Sequence, residues 1–153
     1  MILVKMMGGL GNQLFQYSFA QFLERKFGQP VWIDTLFFLN HRQRRPVLEN
    51  LGIRYRKSPG GRYLWYRMNP RKFARWEEKD FDPDRCDAGD GKSLFFWGYW
   101  QRVEYAEAGR EGILEGFRRF RKRPEVKRLS EEMLGDDSVS IHVRRGDYRG
   151  IPK

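Results

Sequence analysis

Residues 2–34 read ILVKMMGGLGNQLFQYSFAQFLERKFGQPVWID, and this stretch decides the fold class. Ile2–Met6 is a short apolar run, and GGLGNQ at 8–13 supplies a glycine turn. From Gln13 to Phe27, the residues Phe15, Phe19, Phe22, Leu23 and Phe27 recur at three- and four-residue spacing, the period of an amphipathic helix. Asn12 is the expected N-cap and Gly28 the expected stop. Pro30–Asp34 (PVWID) then reads as a second buried strand that ends in a carboxylate. Strand, glycine turn, helix and strand make one β-α-β unit, and such a unit implies a parallel sheet with helices on its faces.

Outward from that unit the pattern fades and then returns. Between about 38 and 92, Arg42, Arg44, Arg45, Arg54, Arg56, Lys57, Arg62 and Arg67 mix with Tyr55, Tyr63, Trp65 and Tyr66, without a period. An irregular basic and aromatic insertion of loops and short helices is expected there, bounded by turn signals at Pro59-Gly60-Gly61 and at 87–91. Ser93–Trp97 reads as a short aromatic strand, followed by Gly98-Tyr99-Trp100-Gln101 and helical sequence from about 102 to 122. Pro124 suits the first turn of another helix, which Gly135 would stop. Val139, Ile141 and Val143 alternate like a strand that delivers Arg144 and Arg145 at its carboxyl end. Ligands of open α/β sheets bind outside that edge.

Composition narrows the class. The chain has 153 residues, 40% hydrophobic and 16% aromatic, enough for one domain with a sizeable core and unlike a disordered chain. Runs such as Leu36–Leu39 and Leu94–Trp97 are far too short to span a bilayer. Met1–Met7 runs into Gly8-Gly9 without the basic region, long apolar stretch or cleavage site of a secretory signal. The single cysteine, Cys86, cannot form an internal disulfide. A cytoplasmic protein is the expectation. Thirty Lys and Arg against twenty Asp and Glu give +10, a surplus that favours nucleic acid, an anionic membrane surface or a phosphate-bearing substrate. Two histidines and one cysteine without close spacing argue against a zinc site.

The motifs choose among those partners. Two adjacent arginines at a strand end can bind a pyrophosphate, because a guanidinium stays charged and its planar fork bonds two oxygens at once. Consecutive strand residues face opposite sides, so two readings stand for Arg144 and Arg145: a solvated basic pair at an exposed strand end, or one arginine clamping phosphate while the other is held by a carboxylate, with Asp147 close in sequence. His142-Val143-Arg144-Arg145-Gly146-Asp147-Tyr148 resembles the H-x-R-R-x-D motif of α-1,2-, α-1,6- and protein O-fucosyltransferases, and its G-D-Y ending is similar to the bacterial α-1,2 family. Gly8-Gly9-Leu10-Gly11-Asn12-Gln13-Leu14-Phe15-Gln16-Tyr17 resembles that family's opening G-G-L-G-N-Q-x-F-Q-Y. Gly98-Tyr99-Trp100-Gln101 with Tyr105 is similar to its G-Y-F-Q-x-x-x-Y segment, with Trp100 in the aromatic slot.

The resemblance implies the N-terminal, acceptor-side domain of a GT-B glycosyltransferase, with a parallel Rossmann-like sheet and a donor-binding domain that would follow this chain. It implies GDP-fucose as donor, a galactoside of an oligosaccharide or glycolipid as acceptor, transfer in α-1,2 linkage with inversion, and no metal or other cofactor. Arg144, Arg145 and Asp147 would be catalytic; Gly9, Gly11, Asn12, Gln13, His142 and Tyr148 would bind substrate. Inversion needs a base, for which Asp34 and Asp147 are the candidates within the chain. Trp65, Tyr66, Trp97 and Trp100 are candidate stacking platforms for the acceptor. Nucleic acid is not an expected partner, whereas the basic surface suits peripheral contact with the inner face of a membrane. Two alternatives stand beside this reading: a non-enzymatic polyanion-binding module, and a related glycosyltransferase with a different acceptor.

Overall fold

Ile2–Lys5 forms β1, Leu10–Phe27 forms α1 and Val31–Asp34 forms β2, the β-α-β unit read from the sequence. Phe73–Glu77 adds β3 and Ser93–Trp97 adds β4. A computed structural model shows residues 1–41, 44–59, 65, 66, 68–87, 91–120 and 123–141, and every statement below concerns these. The four strands make an all-parallel sheet in the order β2-β1-β4-β3, so the fold is α/β. At the outer edge of β2 the chain adds a parallel bridge, Ile33 to Lys57, where Ile33 N–H donates to Arg56 C=O (2.8 Å) and Ser58 N–H to Ile33 C=O (2.8 Å).

β3 lies inside the stretch expected to be loops and short helices. Its sequence, FARWE, has two unlike faces that a single basic-aromatic segment conceals: Ala74 and Trp76 pack on the main core, while on the other face Phe73 is buried and Arg75 exposed, as suits an edge strand with one neighbour. The remainder of that stretch contributes short 3-10 turns at Leu36–Leu39, Glu49–Leu51, Pro70–Lys72 and Glu78–Asp80.

The two faces of the sheet differ. Ile2, Val4, Val31, Ile33, Leu94 and Phe96 face one core, which α1 and the second helix, α2 (Val103–Arg119), close with Tyr17, Phe19, Leu23 and Tyr105. α1 and α2 pack very closely. Gly109, Gly112 and Gly116 of α2 lie against Ser18, Tyr17 and Ile53; a Cβ on Gly109 would stand 2.6 Å from the Ser18 Cα, so a larger residue would have to force the helices apart. The other face carries a smaller cluster, Leu3, Phe73 and Phe95, with Trp32 and Tyr66 packed on it.

Two expectations for α1 need correction. Phe19 and Leu23 are buried as the period predicts, but Phe15 is only half-buried and Gln13 and Gln16 occupy buried positions. The helix also begins earlier than expected: Gly9 is its N-cap, in extended conformation, and Asn12 is the third helical residue instead of the cap. Gln13 N–H already donates to Gly9 C=O (3.0 Å), so the glycines turn the chain before a side-chain cap is needed. Gly28 does end the helix, in the left-handed conformation (φ 60°).

The chain divides into two compact units, Met1–Phe120 and Arg121–Lys153. In the second, Pro124–Gly135 forms α3, with Pro124 in its first turn and exposed pairs Lys127–Glu131 (3.7 Å) and Arg128–Glu132 (2.8 Å) along it. Ser138–Ile141 are not a strand, contrary to the alternation read there. Val139 and Ile141 are 88% and 84% exposed, and no described strand pairs with them. Alternation marks which side chains a strand would bury, but only a hydrogen-bonded neighbour makes one.

Candidate functional site

β1 and β4 are the two central strands, and the loops that leave their carboxyl ends meet. After β1, Gly8 takes φ +80°, a conformation open to glycine at little cost, and a Cβ there would stand 2.6 Å from Asn12 Nδ2. Gly9 follows, with the Arg44 guanidinium 3.2 Å from where its Cβ would be. α1 starts here, and the amides of its first turn, Leu10 to Asn12, precede the first intrahelical bond. Such an end favours an anion. Gly11 is exposed, with nothing within 4 Å of a Cβ position.

The loop after β4 forms a hook, residues 98–101, wound around one carboxylate. Glu78 accepts Tyr99 N–H at Oε2 (2.7 Å) and Gln101 N–H at Oε1 (3.1 Å). Trp100 between them sits at φ 59°, unusual for a bulky residue. It is fully buried and stacks on Phe19 with ring centres 3.8 Å apart and planes 3° apart. Packing thus holds a backbone conformation that the residue itself disfavours. Trp100 is therefore part of the core and presents no face to a sugar, which removes it from the candidate platforms.

Three polar side chains of α1 tie these loops together. Gln16, fully buried, accepts Met7 N–H (2.9 Å) and donates to Gly98 C=O (3.0 Å), joining the two central loops through one amide. Gln13, 1% exposed, donates to Gly8 C=O (3.1 Å) and Arg45 C=O (2.8 Å) and accepts Val47 N–H (2.9 Å). Its amide is engaged by the chain's own backbone. Asn12 Oδ1 accepts from Gln101 Nε2 (2.8 Å). Polar residues on the buried face of a helix need such partners, since an unmatched amide costs about 1–3 kcal/mol.

On the open face of the sheet the strand ends turn charged. Lys5 Nζ lies 4.0 Å and the Arg75 guanidinium 4.4 Å from the Trp97 ring centre, and Arg75 also donates to Glu77 (2.7 Å). A groove of about 550 Å³ runs past Met7, Arg75, Glu77, Trp97, Gly98 and Tyr99. Tyr99 is 41% exposed and Trp65 42%, whereas Tyr66 stacks on Phe95 (4.3 Å) beneath the sheet's smaller cluster. Asp34 pairs in register with Lys5 at the end of β2 and is 2% exposed. Its Oδ1 accepts Leu36 N–H (3.1 Å), its Oδ2 has no partner, and burial raises its pKa. So enclosed a carboxyl closes a turn and has no open path to an acceptor hydroxyl. Burial likewise lowers the pKa of Lys5.

Of the residues read from the sequence, Gly9, Gly11, Asn12 and Gln13 thus gather at one strand end. His142, Arg144, Arg145, Asp147 and Tyr148 lie outside the described residues, as does Val143. Glu78, Gln16 and Gln101 were missed as members of the site. The G-Y-W-Q string marked Gln101, but Glu78 acts on it from 23 residues away, which no local pattern reports. Among the described residues there is no cluster of three metal-ligating side chains, and no helix long and apolar enough to cross a membrane.

Over 166 residues the chain is 27% identical to an alpha-1,2-colitosyltransferase of Escherichia coli, an alignment covering 96% of this chain and 55% of that one. The likeness is to a glycosyltransferase. This chain spans about half the length of that curated relative. No family model matches the chain, and no solved structure does.

Proposed function

We propose that this chain forms the acceptor-side part of a glycosyltransferase that moves a 6-deoxy sugar, fucose or its 3-deoxy form colitose, from a nucleoside diphosphate to a galactoside hydroxyl in α-1,2 linkage. The observation that carries the proposal is the likeness, along 96% of the chain, to a protein named for α-1,2 transfer of colitose. The geometry supports it. Glycosyl transfer leaves a diphosphate whose charge grows as the sugar departs, and fixed positive groups placed there lower the barrier. The first-turn amides of α1, the Asn12 side chain and Arg44 beside Gly9 gather donors at one point of the strand ends.

In this reading Arg144, Arg145 and Asp147 are the catalytic residues, one arginine on a phosphate and the other held by Asp147, and His142 and Tyr148 bind substrate. Gln13 serves by holding the turn, because its amide is already bonded to Gly8, Arg45 and Val47. The groove beside Tyr99 offers an aromatic face and charged rims to an acceptor sugar of an oligosaccharide or glycolipid. The basic surplus would let the enzyme rest on an anionic membrane where such glycolipids lie. The comparisons give no support to the polyanion-binding alternative.

The test is an assay of the intact gene product with GDP-fucose and GDP-colitose, a galactoside acceptor, and the product linkage read by NMR. Transfer to the 2-hydroxyl is expected from at least one donor. Colitose is fucose without its 3-hydroxyl, so the preferred donor also reports whether the site hydrogen-bonds that group. No transfer from either donor, or another linkage, would overturn the proposal.

A further inference from the structure

The orientation of the Asn12 side chain at the glycine turn is set by the hook after β4. Gln101, 89 residues away, donates from Nε2 to Asn12 Oδ1 at 2.8 Å. An amide with its oxygen so occupied turns its NH₂ the other way. Here Asn12 Nδ2 lies over Gly8, at 2.6 Å from where a Cβ would stand, in the space the missing side chain leaves to it and Tyr99. Asn12 therefore faces the turn as a donor. It can bond an oxygen of a phosphate but cannot accept a hydroxyl proton there.

Gln101 is itself exposed, and a free glutamine at the surface would sample many rotamers. The hook that carries it, however, is fixed at three points. The Gln101 N–H is held by Glu78, the Gly98 carbonyl by Gln16, and the Trp100 ring by Phe19. The same anchors hold Trp100 in its left-handed conformation, and they also fix the point from which the Gln101 side chain reaches Asn12.

We propose that Gln101 is a positioning residue: by fixing the Asn12 amide with Nδ2 toward the ligand, it makes Asn12 a hydrogen-bond donor to the diphosphate of the sugar donor. The proposal rests on the glycosyl-transfer reading above.

The test is a double-mutant cycle in the intact gene product, with Asn12→Ala, Gln101→Ala and both, reading donor KM, kcat, GDP affinity by calorimetry and Tm. Gln101→Ala should raise donor KM and weaken GDP about three- to tenfold, the worth of one hydrogen bond, with kcat nearly kept and Tm unchanged. In the Asn12→Ala background the same change should have no effect, since its route is then gone. Gln101→Met keeps the length without the donor and should resemble Gln101→Ala. Penalties that multiply in the double variant, a wild-type KM in Gln101→Ala, or rescue by Gln101→Met would overturn the positioning role while leaving glycosyl transfer standing. An intact protein that neither transfers sugar nor binds GDP would overturn both readings.

Discussion

The turn after β1 and the hook after β4 adjoin each other at the same edge of the sheet, and both place a residue in the left-handed region, by opposite means. Gly8 reaches φ +80° because it has no side chain, and Asn12 and Tyr99 close over the place a Cβ would take. Trp100 reaches φ 59° although it has the largest side chain, because Phe19 holds its ring and Glu78 holds the amides on either side. A turn made with glycine lets a polar side chain, Asn12, close over the backbone. One made by packing is filled by its own ring, and acts as the support against which the first is aligned.

That contrast can be broken by substitution. The largest effect belongs to Trp100→Ala, which empties a fully buried ring site and should destabilise the protein by about 3–5 kcal/mol in denaturant unfolding. Glu78→Ala should follow at about 2 kcal/mol, since it leaves the Tyr99 and Gln101 amides without their charged acceptor. At the glycine turn, Gly8→Ala should lose about 1–2 kcal/mol to the left-handed backbone and to the approach of Asn12 Nδ2. Gly11→Ala, three residues on, should instead stabilise by up to about 1 kcal/mol, as it adds a helix former where nothing lies within 4 Å. Equal losses at Gly8 and Gly11 would erase the distinction.

The last effect is silent at neutral pH. Burial pushes the Cys86 thiol, which lies in the same core as Trp100, up to about 11 from an ordinary 9.0. A group with a raised folded pKa keeps its contribution below its unfolded pKa and loses it as pH climbs through the folded one. Thermal stability should therefore be unaffected by this group up to about pH 9 and fall as pH rises toward 11, with a shallower fall in Cys86→Ala.

Local periodicity carried much of the architecture. The apolar run at 2–6, the glycines and the Phe19–Leu23 spacing place β1, α1 and β2, because each depends on neighbours in sequence. β3 was hidden because Phe73-Ala74-Arg75-Trp76-Glu77 is an edge strand whose outer face mixes Phe73 with Arg75 and Glu77 and so blends into the basic stretch around it. Asn12 was misread as a cap because its residue type suits one, while the chain had already turned at Gly8 and Gly9. Val139 and Ile141 had the pattern of a strand without a described neighbour to pair with. The site was half legible: the glycine turn stood out as a string, but Gln16, Glu78 and Gln101 matter through partners 21 to 89 residues away. Contacts at that separation are created by the fold and leave no periodic trace.

The central proposal is that the glycine turn and the arginines of HVRRGDY each contribute to binding the diphosphate of a sugar donor. Calorimetric titration of GDP into the intact gene product and its Arg144→Ala variant tests it most directly. Saturable binding that weakens about tenfold or more in the variant is predicted, the scale of a lost charge-assisted bond. An intact protein indifferent to GDP, or a variant that binds it as well as the parent, would contradict the account.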